Sequence, residues 1–375
     1  MLLNSRLRSW FYAPSPLLIL LLSIIILTNH NVTPFVYASS TAPQHCTIEQ
    51  FSFGSWIHNN ASTPNDPPGT ESRCGLKTVY KQNLLLRWGE HKKGNWSNYC
   101  WKPHNCYLYK FSIQHMCKVV EGKHILIIGD STSFMFYQAL FMQMEIPGQP
   151  QAQANNTRFA FDVMCDGQSS VRFIRNDQII VTDPPPGCDC CLDWKQYIAD
   201  YDIIVINKGV HIIEVREDDL FLKVTEQSAV DLATYMKNTS LLIYRTAVQP
   251  HPYCTMDAQA DLKPVLSHAD FKPILYDIDS RFNAYDWYKI HSRDKKTREI
   301  YKQHLPNMHV LDVSLMTDLR PDGHRADGGD CLHYYLPGVV DQWFYLFYNF
   351  LIKYFGHHFD HDFSRSNEII DTEAR

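Results

Sequence analysis

His124-Ile125-Leu126-Ile127-Ile128-Gly129-Asp130-Ser131 is the stretch from which the fold is read. An unbroken apolar run of strand length is the pattern of a strand buried on both faces. Here the candidate strand, 123–128, gives way through Gly-Asp-Ser to a helical pattern over 134–144. The same rhythm returns downstream, with candidate strands at 203–206, 241–244 and 309–313 and candidate helices at 218–237, 285–304 and 339–355. Alternation of this kind predicts an α/β fold with a mainly parallel sheet. Such sheets place ligands outside the carboxyl ends of their strands, so Ser131 stands where chemistry is expected.

Working outward, Ser131 needs a base to serve as a nucleophile. Asp330-Cys331-Leu332-His333-Tyr334-Tyr335-Leu336-Pro337-Gly338, followed by Asp341 and Trp343, supplies a candidate. An Asp three residues before a His can aim both side chains to one side of a turn, so that the carboxylate orients the imidazole as a general base. Alone, Ser131 reads equally as a helix cap, and Asp330 with His333 as a local structural pair. A third element, Asn207-Lys208-Gly209-Val210-His211, closes a candidate strand. Its carboxamide can donate to an oxyanion or form an Asx-turn. The fourth runs from Arg245-Thr246 through Pro250-His251-Pro252-Tyr253 to Cys254, again after an apolar run.

Composition narrows the class. The chain has 375 residues, 45% of them apolar, enough for one large core or a domain with a satellite. Net charge is -5, with 35 basic and 40 acidic residues and no long basic block, which excludes a footprint for nucleic acid. Arg6 and Arg8 precede an apolar run over 17–27, so residues 1–38 read as a cleaved signal peptide or as a signal anchor giving a single-pass membrane protein. Both place the body in the secretory pathway. Sequons at Asn31, Asn60, Asn95, Asn155 and Asn238 and a count of eleven cysteines point the same way.

Residues 39–118 are turn-rich, aromatic and Cys-rich, and are expected to form a disulfide-stapled N-terminal subdomain ahead of a catalytic domain at 119–356. A polar tail, 357–375, follows. Its His-rich start reads as solvated rather than metal-binding. Cys188, Cys190 and Cys191 lack paired Cys-x-x-Cys spacing, so disulfides are favoured there over zinc. Trp343, Phe344, Phe347, Tyr348, Phe350, Leu351 and Tyr354 read as the core face of a terminal helix.

Taken in order, Gly-Asp-Ser, Asn-x-Gly, Arg-Thr with a downstream Cys, and Asp-Cys-x-His-x-x-Leu-Pro-Gly-x-x-Asp-x-Trp resemble the PC-esterase family. The resemblance is nearest to its trichome birefringence-like branch, the plant polysaccharide O-acetyltransferases, and spans roughly 46–355. It implies an SGNH-hydrolase-like three-layer fold in which Ser131, His333 and Asp330 form a catalytic triad. The Ser131 amide and Asn207 would bind the oxyanion, with Arg245 on the same oxyanion and substrate side. The family's second glycine has no motif match here, and Gly167 is assigned to it. A Cys254–Cys331 bridge is implied as the anchor of the catalytic loop.

The implied activity is O-acetyl transfer to a glycan or polysaccharide through an acyl-enzyme, with O-acetyl glycan esterase as an alternative. A non-catalytic glycan-binding or scaffold protein is the reading from a different class. The expected partners are a glycan acceptor and an acetyl donor acting as co-substrate, with no cofactor and no metal, in the Golgi lumen or membrane or else secreted. Two departures stand out: Phe134 replaces the branch's usual Arg, and Tyr334-Tyr335 replaces Trp-Cys.

Overall fold

The structure is a computed structural model and describes residues 44–58, 74–77, 98–147, 158–211, 215–251, 264–270, 286–325 and 330–356. The expected leader at 1–38, the tail at 357–375, Cys254 and the sequons at Asn31, Asn60, Asn95 and Asn155 lie outside the described residues. Among the described residues no helix is long and apolar enough to cross a membrane.

In chain order the elements are β1 (Gln44–His45), β2 (Gly54–His58), β3 (Tyr99–Pro103), β4 (Cys106–Tyr107), α1 (Ile113–Val119), β5 (His124–Gly129), α2 (Ser131–Gln143), β6 (Phe159–Met164), β7 (Ser169–Arg175) and α3 (Lys195–Ile198). They continue with β8 (Ile203–Ile206), α4 (Asp218–Tyr235), β9 (Leu241–Arg245), α5 (Ile290–His304), β10 (His309–Leu311), α6 (Ser314–Asp318), β11 (His324–Arg325), β12 (Asp330–Tyr334) and α7 (Val339–Phe355). The main sheet runs β10-β9-β8-β5-β7-β6. Every neighbouring pair is parallel except β6 with β7. β5 lies between β7 and β8, so the chain returns first to one side of it and then to the other. The carboxyl end of β5 is therefore the topological switch point, and Gly129-Asp130-Ser131 stands there.

The unbroken apolar strands bury both faces by alternation. Ile125, Ile127, Ile203, Val205 and Ile243 face one core with the side chains of α2 and α7. Leu126, Ile128, Ile204, Ile206, Leu242 and Tyr244 face another, with Ala229 and Leu232 of α4 and Tyr301 of α5. Every residue of α2 is buried, the condition of a helix enclosed on all sides. Trp56 and Trp101 belong to the same core as α2 and α7, so the described residues of the N-terminal segment have no separate core. Its backbone is met by polar side chains of α7: Trp101 N donates to Gln342 Oε1 at 3.0 Å and Tyr109 N to Asn349 Oδ1 at 2.7 Å. Disulfides join Cys46 to Cys106, Cys74 to Cys100, Cys117 to Cys165, and Cys188 to Cys191.

The structure differs from the sequence reading in several places. β6 and β7 are strands that no buried-type apolar run announces, because Ser169-Ser170-Val171-Arg172-Phe173-Ile174-Arg175 mixes charge into its apolar positions. The first catalytic-edge helix starts at Ser131 rather than 134, since Asp130 caps it. The helix expected over 285–304 begins with a 3-10 turn, Trp287–Lys289, ahead of α5. Of the aromatic stripe on α7, Tyr354 is 41% exposed and does not belong to the core face.

Candidate active site

Ser131 opens α2 directly after β5, and the local sequence holds it there. Asp130 Oδ1 accepts from Thr132 N at 2.8 Å and from Thr132 Oγ1 at 2.6 Å, capping the helix. Gly129 is required by space, because a Cβ there would lie 2.3 Å from Ser133 Oγ and 3.0 Å from Asn207 O. First-turn N–H groups have no intrahelical acceptor, so the turn presents donors beside the Ser131 hydroxyl.

His333 arrives from β12, 202 positions further along the chain. Its Nε2 is 2.8 Å from Ser131 Oγ and its Nδ1 is 2.7 Å from Asp330 Oδ2. The Asp330–His333 segment is strand rather than turn, a geometry that would send side chains three apart to opposite faces. Asp330 overcomes this at the strand's start by folding back, with its Oδ1 accepting from Leu332 N at 3.2 Å and His333 N at 3.1 Å. Burial pushes the Asp330 carboxyl up, but the hydrogen bond and charge of His333 and the two backbone donors together hold it well below the usual range. A carboxylate that stays charged can fix the imidazole with Nδ1–H toward itself and Nε2 toward the serine. Side chains of His333 and Asp330 are 12% and 29% exposed, so the row opens to solvent.

Asn207 lies at the end of β8, fully buried. One carboxamide N–H goes to Arg245 O at 3.1 Å, and Oδ1 stands 3.3 Å from Thr132 Oγ1, next to the nucleophile. Two expected residues are placed elsewhere. Gly167 sits in the β6–β7 turn with φ +90°, ahead of Ser169, whereas Gly129 pairs with Arg175 at the opposite end of β7. Six residues of strand, about 20 Å, separate the two ends, so Gly167 cannot reach the serine.

Arg245 is also corrected: it is fully buried and points inward. Its Nη2 donates to Thr132 Oγ1 at 2.7 Å and Ser133 Oγ at 3.3 Å, Nη1 donates to Thr246 O at 3.2 Å, and the guanidinium lies 4.8 Å from the Trp343 ring. Burial lowers it to about 10 against the pull of the Asp130 charge. Arg245 thus braces the Ser131 turn from within the core. Phe134, in place of the branch's Arg, is core and packs on Phe173 at 5.2 Å between ring centroids.

Cys331 is buried and disulfide-bonded, while Cys254, its expected partner, lies outside the described residues. The sequence reading missed a cluster beside the site. Arg175, paired with Gly129 across the sheet, clamps Asp177 through bonds of 2.9 and 3.1 Å and reaches His211 Nε2 at 3.4 Å. His211 closes the Asn207 element in the sequence, but Arg175 and Asp177 have no signal there because β7 carries no buried-type apolar run.

A serine, a histidine and a carboxylate stand in one hydrogen-bonded row at the switch point of a mainly parallel α/β sheet, the arrangement that serine acyl transfer requires. Residues 278–350 match the PC-Esterase model, described as a GDSL/SGNH-like acyl-esterase family found in Pmr5 and Cas1p. The chain is similar to protein trichome birefringence-like 42 of Arabidopsis thaliana, 24% identical over 90% of this chain and 98% of that one. It is also similar to protein trichome birefringence-like 20 of the same plant, 23% identical over 77% and 69%. Xyloglucan O-acetyltransferase 1 of Populus trichocarpa is 21% identical over 91% and 92%. The chain is thus similar to the PC-esterase family over residues 278–350 and to proteins of the trichome birefringence-like branch over most of its length.

Proposed function

We propose that the protein transfers acetyl groups to hydroxyls of a polysaccharide through an acetyl-Ser131 intermediate. The observation that carries this reading is the His333 ring, hydrogen-bonded to Ser131 Oγ at 2.8 Å on one side and to Asp330 at 2.7 Å on the other. Ser131 Oγ attacks the carbonyl carbon of the acetyl donor while His333 Nε2 takes its proton. The oxyanion is met by the Ser131 N–H and by the carboxamide N–H of Asn207 that Arg245 O leaves unused. Collapse expels the donor's leaving group, which receives the proton from His333. An acceptor hydroxyl then attacks the acetyl ester, passes its proton to His333 Nε2 and regenerates Ser131. Asp330 holds the tautomer and stabilises the imidazolium that forms in each half-reaction. The xyloglucan O-acetyltransferase relative favours a sugar over water as the second nucleophile.

The site of action we propose is the secretory lumen, with the leader at 1–38 delivering the chain there. Asn238, within the described residues, is exposed in the turn between α4 and β9, as a glycosylated sequon must be.

The test is one incubation of purified protein with an acetyl donor, with and without oligosaccharide, for wild type and Ser131→Ala. Acetylated oligosaccharide formed only by wild type supports transfer. Acetate release that needs Ser131 but ignores oligosaccharide makes the protein an esterase. Turnover that survives Ser131→Ala, or no turnover by wild type, overturns the reading.

A further inference from the structure

Behind the base lies a pair of imidazoles that the chemistry above does not use. His251 and His324 are both buried, and His251 Nδ1 is 2.6 Å from His324 Nε2. Each ring's other nitrogen faces a main-chain carbonyl: His251 Nε2 meets Asp318 O at 2.8 Å, and His324 Nδ1 meets His333 O at 3.1 Å. The second carbonyl belongs to the residue carrying the base. Carbonyls only accept, so each end of this row requires a proton on the facing nitrogen. The middle contact requires a third. Two neutral rings bring two protons, so in the neutral pair one contact is unmet, and the tautomers decide which.

The surroundings favour one assignment. The Asp318 carboxylate is held by His291 Nε2 at 3.1 Å, and Asp322 is paired with Arg320 through two bonds of 2.8 Å. On the other side, the Tyr334 ring lies 4.1 Å from that of His324, and Asp330 and His333 follow on the same strand. Burial lowers His251, while the Asp318 carbonyl and the carboxylates of Asp318 and Asp322 pull it back up. Burial and the neighbouring His251 take His324 well below the ordinary imidazole value, against the His333 carbonyl and Asp330. His324 is therefore the ring that stays neutral, and His251 is the one to accept an added proton, on the nitrogen facing Asp318 O.

We propose that His324 is a positioning residue for His333: as the Nδ1–H tautomer it donates to the His333 carbonyl and fixes the strand that carries the base. His251 sets that tautomer by donating its Nδ1–H to His324 Nε2, which leaves the His324 proton on Nδ1, where the His333 carbonyl accepts it. This rests on the reading of His333 as the general base.

Two measurements test it on the full chain. In protein labelled with ¹⁵N-histidine, the two rings are assigned by the signals that His251→Phe and His324→Phe remove. The expected spectrum shows His324 protonated at Nδ1 and bare at Nε2, with His251 becoming the imidazolium on acidification. A His324 ring protonated at Nε2 overturns the proposal. In kinetics, His324→Phe keeps a ring against Tyr334 but removes the donor, and should lower kcat tenfold or more with KM within twofold. His324→Gln restores an N–H donor and should recover kcat to within threefold of wild type. Wild-type kcat in His324→Phe, or a greater loss in His324→Gln, overturns it, because a packing role predicts that order. Should His324→Phe fail to fold, His324→Gln removes the same ring signal, and the wild-type tautomer decides. Turnover surviving Ser131→Ala would instead refute the serine mechanism while leaving the tautomer assignment intact.

Discussion

Asp330 carries two tasks with one carboxylate: Oδ2 orients the His333 ring, and Oδ1 ties down two backbone N–H groups of its own strand. Burial raises it and these bonds more than reverse that, so its folded value lies below its unfolded one. A depressed carboxyl contributes stability above the unfolded value near 3.9 and loses it only as pH falls through the folded one. Asp330 therefore stays charged through mild acid. Asp330→Asn keeps the shape and the backbone acceptor but allows the wrong imidazole tautomer. The expected result is a fall in kcat of about 10²–10⁴-fold with an unchanged circular dichroism spectrum, measured with acetyl donor in excess. A variant with near-wild-type kcat would remove Asp330 from the mechanism.

At the scale of elements, the nucleophile turn depends on how closely β5, α2 and β8 approach. Gly129→Ala would drive a methyl into Ser133 Oγ and toward the Asn207 carbonyl. The expected cost is about 1–3 kcal/mol of stability, read by urea denaturation, together with loss of acetyl turnover as Ser131 is displaced. The edge strand β6 offers a pH prediction. Burial raises half-buried Asp162 to about 6, and among the described residues its Oδ2 has no hydrogen-bond partner. Between about pH 4 and 6 the native state thus holds a proton that the unfolded chain has released, so stability falls as pH rises through that window. Asp162→Asn should abolish this slope and raise stability at pH 7 by on the order of 1–2 kcal/mol after solvent screening. Denaturant midpoints at pH 4 and pH 7 check it, and an unchanged slope in the variant would refute the assignment.

For the whole molecule, four described disulfides and an exposed Asn238 sequon suit folding in an oxidising, glycosylating lumen. Cys117–Cys165 ties α1 to the β6–β7 hairpin across 48 residues, joining the N-terminal segment to the edge of the sheet. Expressed in plant cells, the chain should lose mass when treated with an N-glycosidase, and Asn238→Gln should remove one step of that shift on a gel. A chain of unmodified mass would place it outside the lumen.

The sequence by itself determined the layered α/β class and four strands of the central sheet, β5, β8, β9 and β10, because a strand buried on both faces must be apolar throughout, as Ile125 to Ile128 and Ile203 to Ile206 are. It also singled out Ser131, Asp330, His333 and Asn207, which the fold brings together at the carboxyl end of β5. Tertiary structure alone decided the rest. β6 and β7 were illegible because a strand near a sheet edge tolerates polar side chains, and with them went the Arg175, Asp177 and His211 cluster. The placing of Arg245 behind the nucleophile and of Gly167 at the far end of the sheet follows from strand direction and register, which local sequence does not encode. The approach of His324 to the His333 carbonyl belongs with these: two histidines 73 positions apart share a proton row only because the fold closes a loop between them.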